Sequence, residues 1–223
     1  MLGKNENEIF KIEKITLFSG CDAKKKSASA TNYTMENIYQ YTDIAIFLNS
    51  PIEEHNLENT LKQVWIENIE FTKSPIIGEP KLYFKSINNF AKSDLNDDNL
   101  ISDKLEFTVS SEDETNLDTP ILYNSLANPI TLSYVNSNIK TDYTITDTSS
   151  AITYDGSLLK RCNVSLDSIA CNLSFDIFIK NNLDQEFKCS VFLNIPLQVG
   201  KTSIYDGKVI ENLRYNYSFY RYK

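Results

Sequence analysis

From Ile169 to Ile179 every second residue is apolar: Ile169, Cys171, Leu173, Phe175, Ile177 and Ile179, interleaved with Ala170, Asn172, Ser174, Asp176 and Phe178. Successive side chains of a strand point to opposite faces. This alternation therefore predicts a strand with one face for a core and one mostly wet face. Residues 181–185, Asn-Asn-Leu-Asp-Gln, have turn composition. Alternation resumes at Phe187, Cys189, Val191, Leu193, Ile195 and Leu197. Two such runs around a short polar turn predict an antiparallel hairpin. Amphipathic helices would repeat at about 3.6 residues instead.

Weaker versions of the pattern recur at residues 9–18, 41–48, 64–71, 81–87, 104–110, 130–135, 142–146 and 151–154. Ile44, Ile46 and Leu48 share one face, and Trp65, Ile69 and Phe71 share another. Near the C-terminus Tyr215, Tyr217 and Phe219 alternate with Arg214, Asn216 and Ser218, which reads as an edge strand. About ten short strands with turn-rich spacers predict an all-β chain. The expected form is an antiparallel β-sandwich, immunoglobulin-like or jelly-roll-like in plan, with very little helix. Two segments are helix candidates. One is residues 53–62, with Leu57 and Leu61 four apart; the other is residues 157–162, with Ser157 as cap.

At 223 residues the chain can bury a core without cross-links. One sandwich over residues 1–223 is expected. The alternative is two, 1–112 and 113–223, divided at the acidic stretch 110–118 before Pro120. No repeat of fixed period is visible.

The net charge of −8 argues against nucleic acid as a partner, because that binding rests on neutralising phosphates. Lys24, Lys25 and Lys26 form the one basic run and read as a solvated loop. The Asn-, Ile- and Lys-rich, Gly-poor composition points to an AT-rich genome, bacterial or phage. The sequons at Asn32, Asn163, Asn172 and Asn216 occur at the frequency this composition gives.

In the expected hairpin register Cys171 lies near Ile195 and Cys189 near Ile177, too far apart to bridge. Both read as reduced core residues, and no CxxC pair offers a zinc site. Phe18, Ser19, Gly20 and Cys21 look like a lipoprotein cleavage motif. Lys11, Glu13 and Lys14 interrupt the apolar core such a signal needs, so a strand followed by a loop is expected. No segment reaches the roughly 18 apolar residues of a membrane span. Localisation stays open, with incorporation into a particle or surface layer compatible with the sequence.

Chemistry is sparsely advertised. His55, the single histidine, sits in a charged segment and reads as a loop residue. No metalloprotease, P-loop or dinucleotide motif occurs. Asp94, Asn96 and Asp98 begin like a calcium loop, but Asn99 and Leu105 stand where glycine and glutamate are required. No catalytic, cofactor or metal residue is therefore assigned. The chain reads as a non-catalytic structural or protein-interaction protein whose partner is another protein or a second copy. Its expected contact patch is Arg214, Tyr215, Tyr217, Tyr220, Arg221 and Tyr222, types enriched at protein interfaces. Two alternatives stand beside it. One is a carbohydrate-binding or adhesive module, calcium-dependent in one form, stacking sugars on Trp65. The other is a hydrolase with two carboxylates in a concave site.

Overall fold

The computed structural model describes residues 6–23, 33–86, 97–110, 119–123, 126, 128–145, 153–214 and 217–223. In chain order the first strands are β1 (Glu6–Ala23), β2 (Tyr33–Thr34), β3 (Asn37–Asn49), β4 (Leu61–Lys73), β5 (Glu79–Phe84), β6 (Leu105–Ser110) and β7 (Ile121–Tyr123). Then come β8 (Ile130–Lys140), β9 (Thr144–Ile145), the short helices α1 (Ser157–Arg161) and α2 (Leu166–Ile169), β10 (Asn172–Asn181) and β11 (Glu186–Asn194). The chain closes with β12 (Gln198–Val199), β13 (Thr202–Ser203), β14 (Val209–Leu213) and β15 (Tyr217–Arg221).

The protein is all-β, as the alternation predicts. One large sheet runs β5-β8-β3-β1-β15-β11-β10-β4-β6-β7, with β14 also pairing on β1. It is mixed rather than wholly antiparallel, because β6 and β7 run parallel, Thr108 opposite Ile121. The sheet curls. Strands far apart in its order meet face to face: Phe84 of β5 lies 6.4 Å from Phe107 of β6, and Phe71 of β4 lies 6.0 Å from Tyr134 of β8, between ring centroids.

The hairpin is β10–β11. Ile177 stands opposite Cys189, and the Ile195 amide donates to the Cys171 carbonyl at 2.9 Å, the register expected from the sequence. Its start differs: Ile169 ends α2, and the strand begins at Asn172. Its supposedly wet face also differs, since Ser174, Asp176 and Phe178 are all largely covered. The strand expected at 9–18 runs on through Cys21, which is buried on the core side of β1.

Residues 53–60 form an irregular loop with a turn at 57–59 instead of a helix, and Leu61 and Lys62 already belong to β4. Asn56 and Asn59 divert the backbone. The Asn56 side chain accepts the amides of Glu58 and Asn59, and the Asn59 side-chain amide donates to the Ile52 and Glu54 carbonyls. In α1 the Asp155 carboxylate, not Ser157, takes the first free amide, that of Ser157. Residues 153–154 are not in a strand, and 151–152 lie outside the described residues. The C-terminal strand β15 is no edge. It sits between β1 and β11 and joins the two halves of the sheet.

All four cysteines are free; Cys21, Cys171 and Cys189 are buried and Cys162 is partly exposed. Burial pushes the Cys189 thiol up to about 12, with Asp176 adding to the effect. In a thiol-reagent titration of the native protein, Cys162 is expected to react first, and the buried three only on denaturant addition. Rapid labelling of Cys189 without denaturant would contradict this packing.

Candidate functional site

The outer face of β6-β4-β10-β11-β15 carries a row of side chains set directly opposite one another: Glu106, Trp65, Phe178, Lys188 and Tyr220. Directly opposed side chains on one sheet face are in contact range, so register alone assembles the row. The Trp65 and Phe178 rings stack at 5.1 Å with planes 4° apart, and Tyr222 meets Phe178 edge-on at 5.7 Å. Ammonium groups accompany the rings: Lys104 is 5.1 Å from the centre of Trp65, and Lys188 5.5 Å from that of Phe178. Tyr220 and Tyr222 remain 41% and 50% exposed, so the row ends in open aromatic surface.

Beside the row, Asp176 ties the strands together. It accepts from Ser190 at 2.6 Å, from Asn68 at 2.7 Å, and pairs with Lys188 at 2.7 Å. Asn68 reaches it through an irregularity in β4. The register slips between Ser174 and Asp176, and Asn68 takes a left-handed φ of 57°. Burial alone would raise the Asp176 carboxyl, but its bonds to Lys188, Ser190 and Asn68 outweigh that and hold it below the ordinary range. Lys188 is held correspondingly high, mainly by its hydrogen bond to Asp176. A lowered folded-state pKa contributes stability above the unfolded carboxylate value, about 3.9, and loses it as pH falls through the folded value. Asp176→Asn is therefore expected to lessen the protein's loss of stability on acidification. Urea midpoints at about pH 7 and about pH 3 check this; equal pH sensitivity in both proteins would refute it.

The expected contact residues divide. Tyr220 and Tyr222 belong to the row, and Arg221, exposed at the end of β15, flanks them. Tyr217 does not: it is half-buried and its hydroxyl donates to the Phe192 carbonyl at 3.2 Å. Arg214 is exposed elsewhere, in a shallow hollow with Glu13, Lys14 and Phe47. Tyr215 lies outside the described residues. Phe178, Lys188, Lys104 and Asp176 escaped the sequence reading. The available signal was Phe178, a large aromatic at an outward position of an alternating strand. Trp65, expected as a sugar platform, has one ring face already stacked on Phe178.

A second polar group lies on the outer face of β3, β8 and β5. Asp43 pairs with Lys85 at 2.7 Å and accepts from Ser133 at 2.8 Å, and both charged groups are buried. Tyr41 lies alongside, its hydroxyl pushed up to about 12 by burial and then by Asp43. His55 is exposed in the loop between β3 and β4, and Asp98 is exposed in a short 3-10 helix, Asp97–Asn99; Asp94 and Asn96 lie outside the described residues. A cleft of about 420 Å³ opens between β11 and β14 and has Asp167 and Glu211 on its walls. No helix among the described residues is long and apolar enough to cross a membrane. Comparison with family models, with curated proteins and with solved structures found no match.

Proposed function

We propose that this chain is a non-catalytic structural or protein-interaction protein, a single β-sandwich-like domain whose contact surface is the Trp65–Phe178–Tyr222 row with Tyr220, Lys188 and Arg221. The observation that carries the reading is the stacked row ending in exposed tyrosines. Aromatic and arginine side chains dominate the cores of protein interfaces, where a few of them supply most of the binding energy. Here the rings already brace one another and Asp176 holds the strands beneath them. Little side-chain freedom would be lost on docking, which is what makes such a surface effective. Phe178 stacks on one face of Trp65 and the Lys104 ammonium lies 5.1 Å from its ring centre, which weighs against sugar binding at that ring.

Light scattering across a concentration series, with pulldown on immobilised protein, tests the reading. Self-association or capture is expected, weakened at least about tenfold by the double variant Tyr220→Ser/Tyr222→Ser. Both residues are about half exposed and Tyr222 gives up one edge-on contact with Phe178, so the variant is expected to stay folded at a cost of about 1–2 kcal/mol. A strictly monomeric protein with no captured partner, or capture indifferent to the variant, would overturn it.

A further inference from the structure

β11 pairs with β10 along its whole length, but with β15 only at Phe187 and Lys188. The Ile195 amide bonds to Cys171, and the Asn181 amide to Gln185, so odd-numbered residues of β11 direct their backbone groups to β10. Ser190, Phe192 and Asn194 therefore direct theirs the other way. Among the described residues no strand lies there to receive them. The Phe192 carbonyl, among the described residues, takes the Tyr217 hydroxyl, a side chain standing in for a strand. Opposite, β14 pairs with β1 on one side and with no second strand among the described residues.

These two edges, unpaired among the described residues, flank the 420 Å³ cleft. Among the described residues its walls carry Phe192, Leu197 and Leu213 as apolar surface, Asp167 and Glu211 as carboxylates, and no lysine or arginine. Phe192 is 64% exposed, a large apolar side chain left beside an unpaired edge. Native proteins ordinarily blunt such an edge, because it templates pairing with another chain.

We infer that this cleft binds an extended segment of a partner protein, added as a strand beside β11 and carrying a lysine or arginine next to an apolar residue. Backbone pairing to Phe192 and Asn194 would supply affinity, and the walls would supply selectivity. The apolar residue would cover Phe192 and Leu213, and the cation would sit between Asp167 and Glu211. Reading the same carboxylates as a hydrolytic pair is less apt, because such chemistry keeps one acid protonated by burial and Asp167 is exposed. The inference rests on the protein-interaction reading but places a different surface at its centre.

The test uses the full chain and a positional-scanning library of capped hexapeptides. Pools fixed as lysine or arginine are expected to bind best, and bound peptide should shift the Phe192 and Asn194 amide resonances. Glu211→Lys is expected to weaken the basic pools about tenfold and to favour acidic ones. No binding by any pool, or basic-pool binding unchanged in Glu211→Lys, would overturn the cleft. The Tyr220→Ser/Tyr222→Ser protein separates the two proposals. If it loses association while peptide binding fails in every protein, the outer row stands and the cleft falls. If peptides bind but association is absent, the cleft stands and the row falls.

Discussion

Asp43→Ala is expected to destabilise the protein by about 3–5 kcal/mol, because it leaves the Lys85 ammonium buried without its carboxylate. The pair spans three strands: Asp43 on β3, Ser133 on β8, and Lys85 just beyond β5. Burial pushes the Asp43 carboxyl up, and Lys85 and Ser133 pull it only part of the way back. Desolvation thus offsets much of the attraction between the charges, as is usual for buried pairs. Two consequences distinguish this site from a surface salt bridge. Replacing both partners, as in Asp43→Leu/Lys85→Met, is expected to restore most of the stability lost in either single variant. The pH dependence also has the opposite sign from that at Asp176. With its folded-state value raised, Asp43 contributes a loss of stability as pH rises through the interval above the ordinary carboxylate value. Urea unfolding of the two single variants and the double variant measures all three quantities. Single-variant losses below about 1 kcal/mol would show the pair behaving as a hydrated surface bridge.

Local alternation carried the architecture. It located β1, β3, β4 and the β10–β11 hairpin, because burial on one face leaves a period that a single strand displays by itself. Where partners from elsewhere decide burial, the period fails. Gln40 and Thr42 occupy inward positions of β3, and are tolerated there because Thr42 bonds to Ser19 on β1 and Gln40 bonds to Thr42. Asp176 reads as an outward polar residue, and Asp43 stands on the face opposite Ile44 and Ile46, yet both are buried. β14 was invisible for a related reason: its outward residues Ile210 and Asn212 do not contrast in polarity with its inward ones, Val209, Glu211 and Leu213. The outer row was half legible. Tyr220 and Tyr222 stood out by type, but their meeting with Phe178 and Trp65 depends on register across several strands, which no local pattern encodes.

Phe10→Ala is expected to cost about 3–5 kcal/mol, and to do so by loosening one seam of the sheet. Phe10 of β1 packs edge-on against Phe187 of β11 at 5.3 Å and against Phe219 of β15 at 6.4 Å. These are the three strands where the halves of the sheet join, and the backbone ladder there is thin. Among the described residues β15 pairs with β11 at two positions, extended by Glu186 bonding to Tyr222 and Lys223, and its pairing with β1 is interrupted between Glu6 and Lys11. Side-chain packing has to supply the cohesion that hydrogen bonds supply elsewhere. Truncating Phe10 removes the ring that touches both neighbours, so the β15 amides are expected to lose exchange protection before those of β10. Phe175→Ala is the matched comparison. Phe175 is as deeply buried, but its strand is paired on both sides, by β4 and β11. It should lower global stability by a similar amount without singling out β15. An identical exchange pattern in the two variants would mean that the seam is held by its few backbone pairs and not by the Phe10 ring.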